Sequence, residues 1–154
     1  MSASDSIPTP EHESCPFCDY LSGAVPCAFV SRGADVSVFM NRAQYEKGAV
    51  LLVPNQHIAH LLDVPPDVLC ALYAEAQRIA RGVIKAFGAE GFNLFQNNGI
   101  CAGQTIGHSH THLVPRYRHS DSRKIFREEE FPHTPFHELE VLADQIRRAL
   151  DDEA

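Results

Sequence analysis

Three histidines, His108, His110 and His112, recur at every second position within the segment Gly103 to Arg116. Successive side chains of an extended strand alternate faces, so this spacing predicts one row of three imidazoles on one side of a sheet. The run closes in Leu113-Val114-Pro115, which suits a strand that ends there. It begins at Gly103, after Asn97-Asn98-Gly99, a turn signal. Such a row is a costly way to cover a sheet face, because each imidazole titrates near neutrality and needs a hydrogen-bond partner when buried. A polar strand face packed under a following loop is the plain structural alternative, and a chemical role is the one to test first.

The rest of the chain supplies elements around this strand. Two β-prone runs within residues 28–40, broken at Arg32-Gly33-Ala34-Asp35, predict a hairpin. Ala49 to Val53 is a continuous apolar run between Gly48 and Pro54, which predicts a central strand covered on both faces. Leu69, Leu72, Ala76, Ile79, Val83 and Phe87 recur at three- and four-residue steps and predict a long helix that starts at Pro65-Pro66-Asp67 and closes at Gly88. Residues 91–97 alternate and predict a strand antiparallel to the histidine strand. Leu139, Leu142, Ile146 and Leu150 mark a final amphipathic helix. Residues 1–14 lack periodicity and are expected to form a disordered tail, and residues 117–135 a long loop or lid.

A chain of 154 residues is expected to form one domain. Its net charge of −7 argues against bulk neutralisation of a nucleic-acid backbone, while a small phosphorylated substrate stays open because local donors can bind it. No apolar run reaches the ~20 residues that span a bilayer, and residues 1–14 do not read as a secretory signal. A cytoplasmic protein is expected, with no nucleic acid and no membrane as partner. The five cysteines then suit metal binding or plain burial better than a disulfide framework.

Cys15-Pro16-Phe17-Cys18 has the spacing that lets two thiolates reach one tetrahedral metal, although the pair alone is half a zinc site. A redox dithiol shares this spacing but usually opens a helix after a strand, and here Gly23 and Pro26 follow closely; inert thiols are the third reading. For the three imidazoles, two chemistries fit: a metal site made wholly of histidine, or nucleophilic attack at phosphorus by one imidazole while its neighbours hold phosphate oxygens. Gly103, Gln104, Thr105, Asn97 and Asn98 supply neutral donors just before the row, which favours phosphorus.

Asn97-x-Gly99-x-x-x-Gly103-Gln104-Thr105-x-x-His108-x-His110-x-His112-Leu113-Val114-Pro115-Arg116 resembles the signature of the histidine triad family of nucleotide hydrolases and transferases. The segment from Cys15 to Pro26 is similar to that family's zinc-binding N-terminus. Val38 to Asn41, and Val50 to Pro54 with His57, are similar to its nucleoside-binding strands. The resemblance implies an α+β fold, assembled as a homodimer: a single family domain over residues 15–117, with a mostly antiparallel sheet of about five strands and a long packed helix, followed by the loop or lid and the C-terminal helix over residues 118–154. It implies that His110 attacks the α-phosphate of a nucleotide to form a covalent nucleotidyl-imidazole, with the His108 carbonyl orienting His110. His112, Gln104, Thr105, Gly103 and Asn97 would then hold phosphate oxygens and Asn41 the ribose hydroxyls. A structural zinc on Cys15, Cys18, His57 and His108 is implied too, with His60 competing for the place of His57. A non-catalytic nucleotide-binding or dimeric scaffold module is the alternative from another class. Three departures stand out: Ser109 and Thr111 are polar where the family alternates apolar residues, and Asn41 stands where many relatives carry aspartate. His12, His119, His133 and His137 match no family position and read as surface histidines.

Overall fold

The structure is a computed structural model that describes residues 7–121 and 131–152. Its elements in order are α1 (Pro16–Ser22), β1 (Phe29–Arg32), β2 (Val36–Met40), β3 (Val50–Pro54), α2 (Pro66–Phe87), β4 (Gly91–Phe95), β5 (Thr111–Arg116) and α3 (Phe136–Asp151), with 3-10 turns at Leu61–Asp63 and Ile100–Ala102. The strands form one antiparallel sheet in the order β1-β2-β3-β5-β4. The hairpin, the central strand, the long helix closed by left-handed Gly88 and the β4–β5 pair stand where residue patterns predict them.

Side-chain parity divides the sheet. Val36, Val38 and Met40 of β2, Val50 and Leu52 of β3 and Leu113 of β5 point to one face, where they pack with α2 and α3. The intervening residues Phe39, Leu51 and Val53 point to the other face, where α1 covers them through Phe17 and Tyr20. The register sets His112 opposite Leu51 on one side and Phe95 on the other. Central strands buried on both faces therefore carry the core on even-numbered residues of β3 and the site on odd ones.

Three expectations need correction. The histidine strand begins only at Thr111; His108 and His110 precede it in irregular extended chain. Continued at the same register, the β3–β5 ladder would set Ser109 opposite Pro54, which has no N–H to give. The Ser109 N–H turns instead to the Ile58 carbonyl at 2.6 Å. Second, the Cys-x-x-Cys does open a helix: Pro16 stands at its first position, Asp19 lies in its first turn, and Gly23 at φ 82° ends it. Third, residues 7–14 are not a free tail, because the Ile100 N–H donates to the Pro8 carbonyl at 2.9 Å. The final amphipathic helix stands as expected in α3, where Leu139, Ala143, Ile146 and Leu150 pack in the same cluster as α2. Of the expected lid, residues 122–130 lie outside the described residues. Its flanks are latched, by the Thr134 N–H to the Arg42 carbonyl and the Tyr117 hydroxyl to the Lys47 carbonyl.

The α2–α3 contact closes on Gly82, where a Cβ would stand 2.8 Å from Leu150 Cδ2 and Cγ and 3.3 Å from Ile146 Cγ2. Gly82→Leu is expected to cost about 1–3 kcal/mol, the usual cost of overpacking a core. A fall in the urea midpoint at unchanged slope checks it.

Candidate functional site

His108 is fully buried before β5, and its ring is fixed from both ends. Nε2–H donates to the Pro54 carbonyl at 2.9 Å, so the lone pair resides on Nδ1. That nitrogen faces Cys15 Sγ at 3.4 Å and Cys18 Sγ at 3.7 Å. Cys18 Sγ also lies 3.3 Å from His57 Nδ1, and the four ligand atoms lie within 4.8 Å of one another. Zn–S bonds of about 2.3 Å and Zn–N bonds of about 2.0–2.1 Å at tetrahedral angles put sulfur and nitrogen about 3.5 Å apart. The donor set, two thiols and two imidazoles, fits zinc in type and in spacing. His60 is not in the cluster; its Nδ1 lies 3.3 Å from Asp63 instead. Burial, helped by Cys15 and Asp19, pushes the Cys18 thiol up to about 11. Burial lowers His108 to about 4, against the opposing Pro54 carbonyl and with His57 and His110 adding to the shift. A Cys18 thiol that resists ionisation unaided, beside a His108 imidazole held neutral, belongs to a site whose electrostatics a divalent cation would complete.

Two residues on, His110 is buried and its Nδ1–H donates to the His108 carbonyl at 2.7 Å. The lone pair is then on Nε2, the atom that can act as nucleophile or base. The ring lies edge-on to Phe17 at 5.1 Å between centroids, and Phe17 also meets the His108 ring at 5.8 Å. His112 follows in β5, its ring 5.1 Å from that of His110. It is stacked on Phe95 at 4.5 Å with an interplanar angle of 3°, and Tyr45 lies at 6.0 Å on it. The three rings therefore share one side, although only His112 takes that orientation from a strand.

His112 Nδ1 is buried without a hydrogen-bond partner among the described residues. Burial, with the charge of His110 adding, lowers its pKa to about 3. An unfolded imidazole titrates near 6.5. The folded protein thus refuses a proton that the unfolded chain accepts, and this contribution to stability is full above about pH 6.5 and is lost as pH falls toward 3. His112→Phe, which keeps the stacked ring, is expected to flatten the acid limb of a urea-midpoint profile between those values.

The polar departures are satisfied within the strand pair. Gln96 Nε2–H donates to Ser109 Oγ at 2.9 Å, and Thr111 Oγ1–H donates to Gln96 Oε1 at 3.1 Å. The back of the histidine segment is buried around one amide rather than around apolar side chains.

The preceding loop sets the expected donors in place. Gln104 is buried, and both its amide hydrogens are engaged, by the Ala59 carbonyl at 2.7 Å and the Ile106 carbonyl at 2.8 Å. Its Oε1 accepts from the Gly99 N–H at 2.7 Å. Gln104 thus braces the loop from inside. Thr105 is exposed at the rim, Gly103 adopts φ 83° beside it, and Asn97 Nδ2–H donates to the Gly103 carbonyl at 3.3 Å.

A cavity of about 700 Å³ adjoins this loop, lined by Phe17, Phe39, Leu51, Thr105 and Ile106, with Val25 to Ala28 and the segment 133–136 extending its far wall. Asn41 lines it as well. Its Oδ1 accepts from the Ala43 N–H at 3.1 Å, but its buried Nδ2 has no partner among the described residues. An orphaned buried donor costs about 1–3 kcal/mol, which a ligand hydroxyl would recover. Sequence patterns did not single out the rings that hold the triad in place, Phe17, Phe95 and Tyr45, or the Pro54 carbonyl. Their only mark was position: inside the Cys-x-x-Cys, at the end of β4, and at the end of β3. His133, expected as a plain surface residue, lies 3.1 Å from Arg42 Nη2 on the cavity wall.

The HIT domain profile matches residues 22–119. An adenosine 5′-monophosphoramidase of Schizosaccharomyces pombe is 34% identical over 103 residues, which cover 67% of this chain and 74% of that protein. An adenylylsulfatase of Arabidopsis thaliana is 33% identical over 102 residues, 66% of this chain and 52% of that longer protein. A zinc-bound histidine triad family protein from Mycobacterium smegmatis superposes with a TM-score of 0.77 at 29% identity, covering 91% of this chain and 95% of the other. With the profile spanning more than half of its length, this chain belongs to the HIT domain family.

Proposed function

We propose that the protein is a zinc-containing nucleotidyl hydrolase or transferase that acts on a nucleoside phosphoramidate or a dinucleoside polyphosphate. The observation that carries this reading is the 2.7 Å bond from His110 Nδ1–H to the His108 carbonyl, which puts the lone pair on Nε2. Nε2 attacks the α-phosphorus, a P–N bond forms to the imidazole, and the amine or phosphate leaving group departs with the bonding electrons. Water or another acceptor then attacks the nucleotidyl-imidazole and releases Nε2. Asn41 Nδ2–H donates to a ribose hydroxyl oxygen. Asn97, Thr105, Gly103 and His112 face the phosphate oxygens, whose growing charge neutral preorganised donors stabilise. Gln104 acts from behind the loop, since its amide is engaged by backbone. The cluster of Cys15, Cys18, His57 and His108 holds a structural zinc, which leaves no coordination position open for chemistry.

A homodimer is supported by the free edge of β4, where Phe92 is exposed. A reducing, cytoplasmic setting would keep the Cys15 and Cys18 thiols reduced and able to bind the metal. Turnover of adenosine phosphoramidate set against dinucleoside polyphosphates tests the activity, with acid-quenched samples examined for one nucleotidyl group on the peptide that contains His110. Tight mononucleotide binding with neither turnover nor adduct would favour a scaffold module instead.

A further inference from the structure

Residues 7–12 run along the loop 99–107 and meet it at three places. The Ile100 N–H donates to the Pro8 carbonyl at 2.9 Å. A Cβ on Gly107 would clash with the Pro10 carbonyl oxygen. His12 Nε2–H donates to the Thr105 carbonyl at 3.1 Å. The carbonyls of Pro8 and Pro10, two residues apart, both turn to the loop. Two prolines in the segment fix φ and lower the entropic cost of ordering it. Gly107 has no positive φ to explain it. Its lack of a side chain is explained by the Pro10 carbonyl, which occupies the space a Cβ would need. The strap is also not a plug, because the nucleoside-sized cavity takes Thr105 and Ile106 from the loop but none of residues 7–12.

We propose that residues 7–12 are a strap that positions the loop 99–107 for nucleotidyl transfer, with His12 as its positioning residue on the Thr105 carbonyl. The loop is then held from two sides, by the Gln104 amide within and by the strap outside. Fixing the Thr105 peptide fixes where the rim donors sit relative to His110. An error of about 1 Å in such placement can cost about 10²-fold in rate. The inference rests on the nucleotidyl-transfer reading for its kinetic consequence, but the strap itself is readable without turnover.

The test uses the full chain and four variants: deletion of residues 1–12, His12→Ala, His12→Gln and Gly107→Ala. The deletion is expected to lower kcat about tenfold or more with KM within about twofold, as loss of alignment rather than of uniform binding does. His12→Ala should give part of that loss, and His12→Gln, whose amide still donates, should recover it. Gly107→Ala should reproduce the loss in the full chain yet add little in the deleted one, since its clash is with the strap; contacting groups couple in this way and independent ones add. An unchanged kcat on deletion, or full additivity of Gly107→Ala with the deletion, overturns the proposal. Hydrogen exchange separates this from failure of the functional reading: the Ile100 amide should lose protection in the deletion variant even if no nucleotide is turned over, and unchanged protection overturns the strap on its own.

Discussion

His110→Ala is expected to lower turnover of adenosine phosphoramidate by at least about 10⁴-fold, the scale on which loss of a nucleophile acts. The substitution removes the only ring of the three whose lone pair is steered to Nε2 by a backbone carbonyl. His108 has its Nε2–H on Pro54 and its Nδ1 turned to the two cysteines, so it cannot replace His110. His112 is stacked between Phe95 and Tyr45 and is held neutral by burial, a donor's position rather than an attacker's. The residual rate should reflect binding and the loop donors alone. Fold and metal content should survive, because the core of α2, α3 and even-numbered β3 residues lies on the other sheet face. Mononucleotide affinity, measured by calorimetry, should change by less than about tenfold, since Asn41 and the cavity walls are untouched. An active His110→Ala protein would end the covalent mechanism. An inactive one that has also lost its fold would be resolved by His110→Gln, which keeps a polar side chain of similar reach and still lacks the nucleophilic nitrogen.

The sequence showed the sheet because its signals are local. The apolar run at Val50 to Val53 and the three-to-four-residue steps of Leu72, Ala76, Ile79 and Val83 report which sides of an element are buried, whereas the alternation in residues 91–95 marked a strand without its buried face, since Phe92 and Asn93 are both exposed. The triad was legible for the same reason, since period two places His108, His110 and His112 on one side even where the chain leaves the ladder. What stayed hidden depends on contacts between distant segments. That Gln104 braces the loop follows from carbonyls of Ala59 and Ile106 converging on it, and nothing within Gly103-Gln104-Thr105 announces this. That Ser109 and Thr111 are buried follows from Gln96 standing across the strand pair. The strap was missed because its specificity is in backbone carbonyls of Pro8 and Pro10, which carry no side-chain pattern; its one visible mark is Gly107, which lies inside the histidine segment and announces nothing by itself. Choice between His57 and His60 likewise needed three dimensions: both follow Pro54 closely, and only the turn after β3 brings the first to Cys18.

Removal of zinc is the second large effect expected. Protein purified without added metal should contain about one zinc per chain. A site loaded at about 1,000 times its dissociation constant contributes about 4 kcal/mol of stability, which lowers Tm by roughly 8–16 °C on removal for a domain of this size. The ligands come from three places: Cys15 and Cys18 from the start of α1, His57 from the turn after β3, and His108 from the approach to β5. Without the metal, α1 is held by Phe17 and Tyr20 against Phe39 and is free to lift from the triad. Chelation or Cys18→Ser should therefore lower kcat well below the melting transition, because His108 loses one of the two constraints on its ring and its carbonyl is the group that orients His110. His57→Ala should lose metal, whereas His60→Ala should keep it, since His60 is turned to Asp63. Elemental analysis and thiol alkylation decide the matter together: metal-free protein whose Cys15 and Cys18 alkylate freely, with unchanged Tm after chelation, would remove zinc from the account and leave the orientation of His110 to the Pro54 and His108 backbone alone.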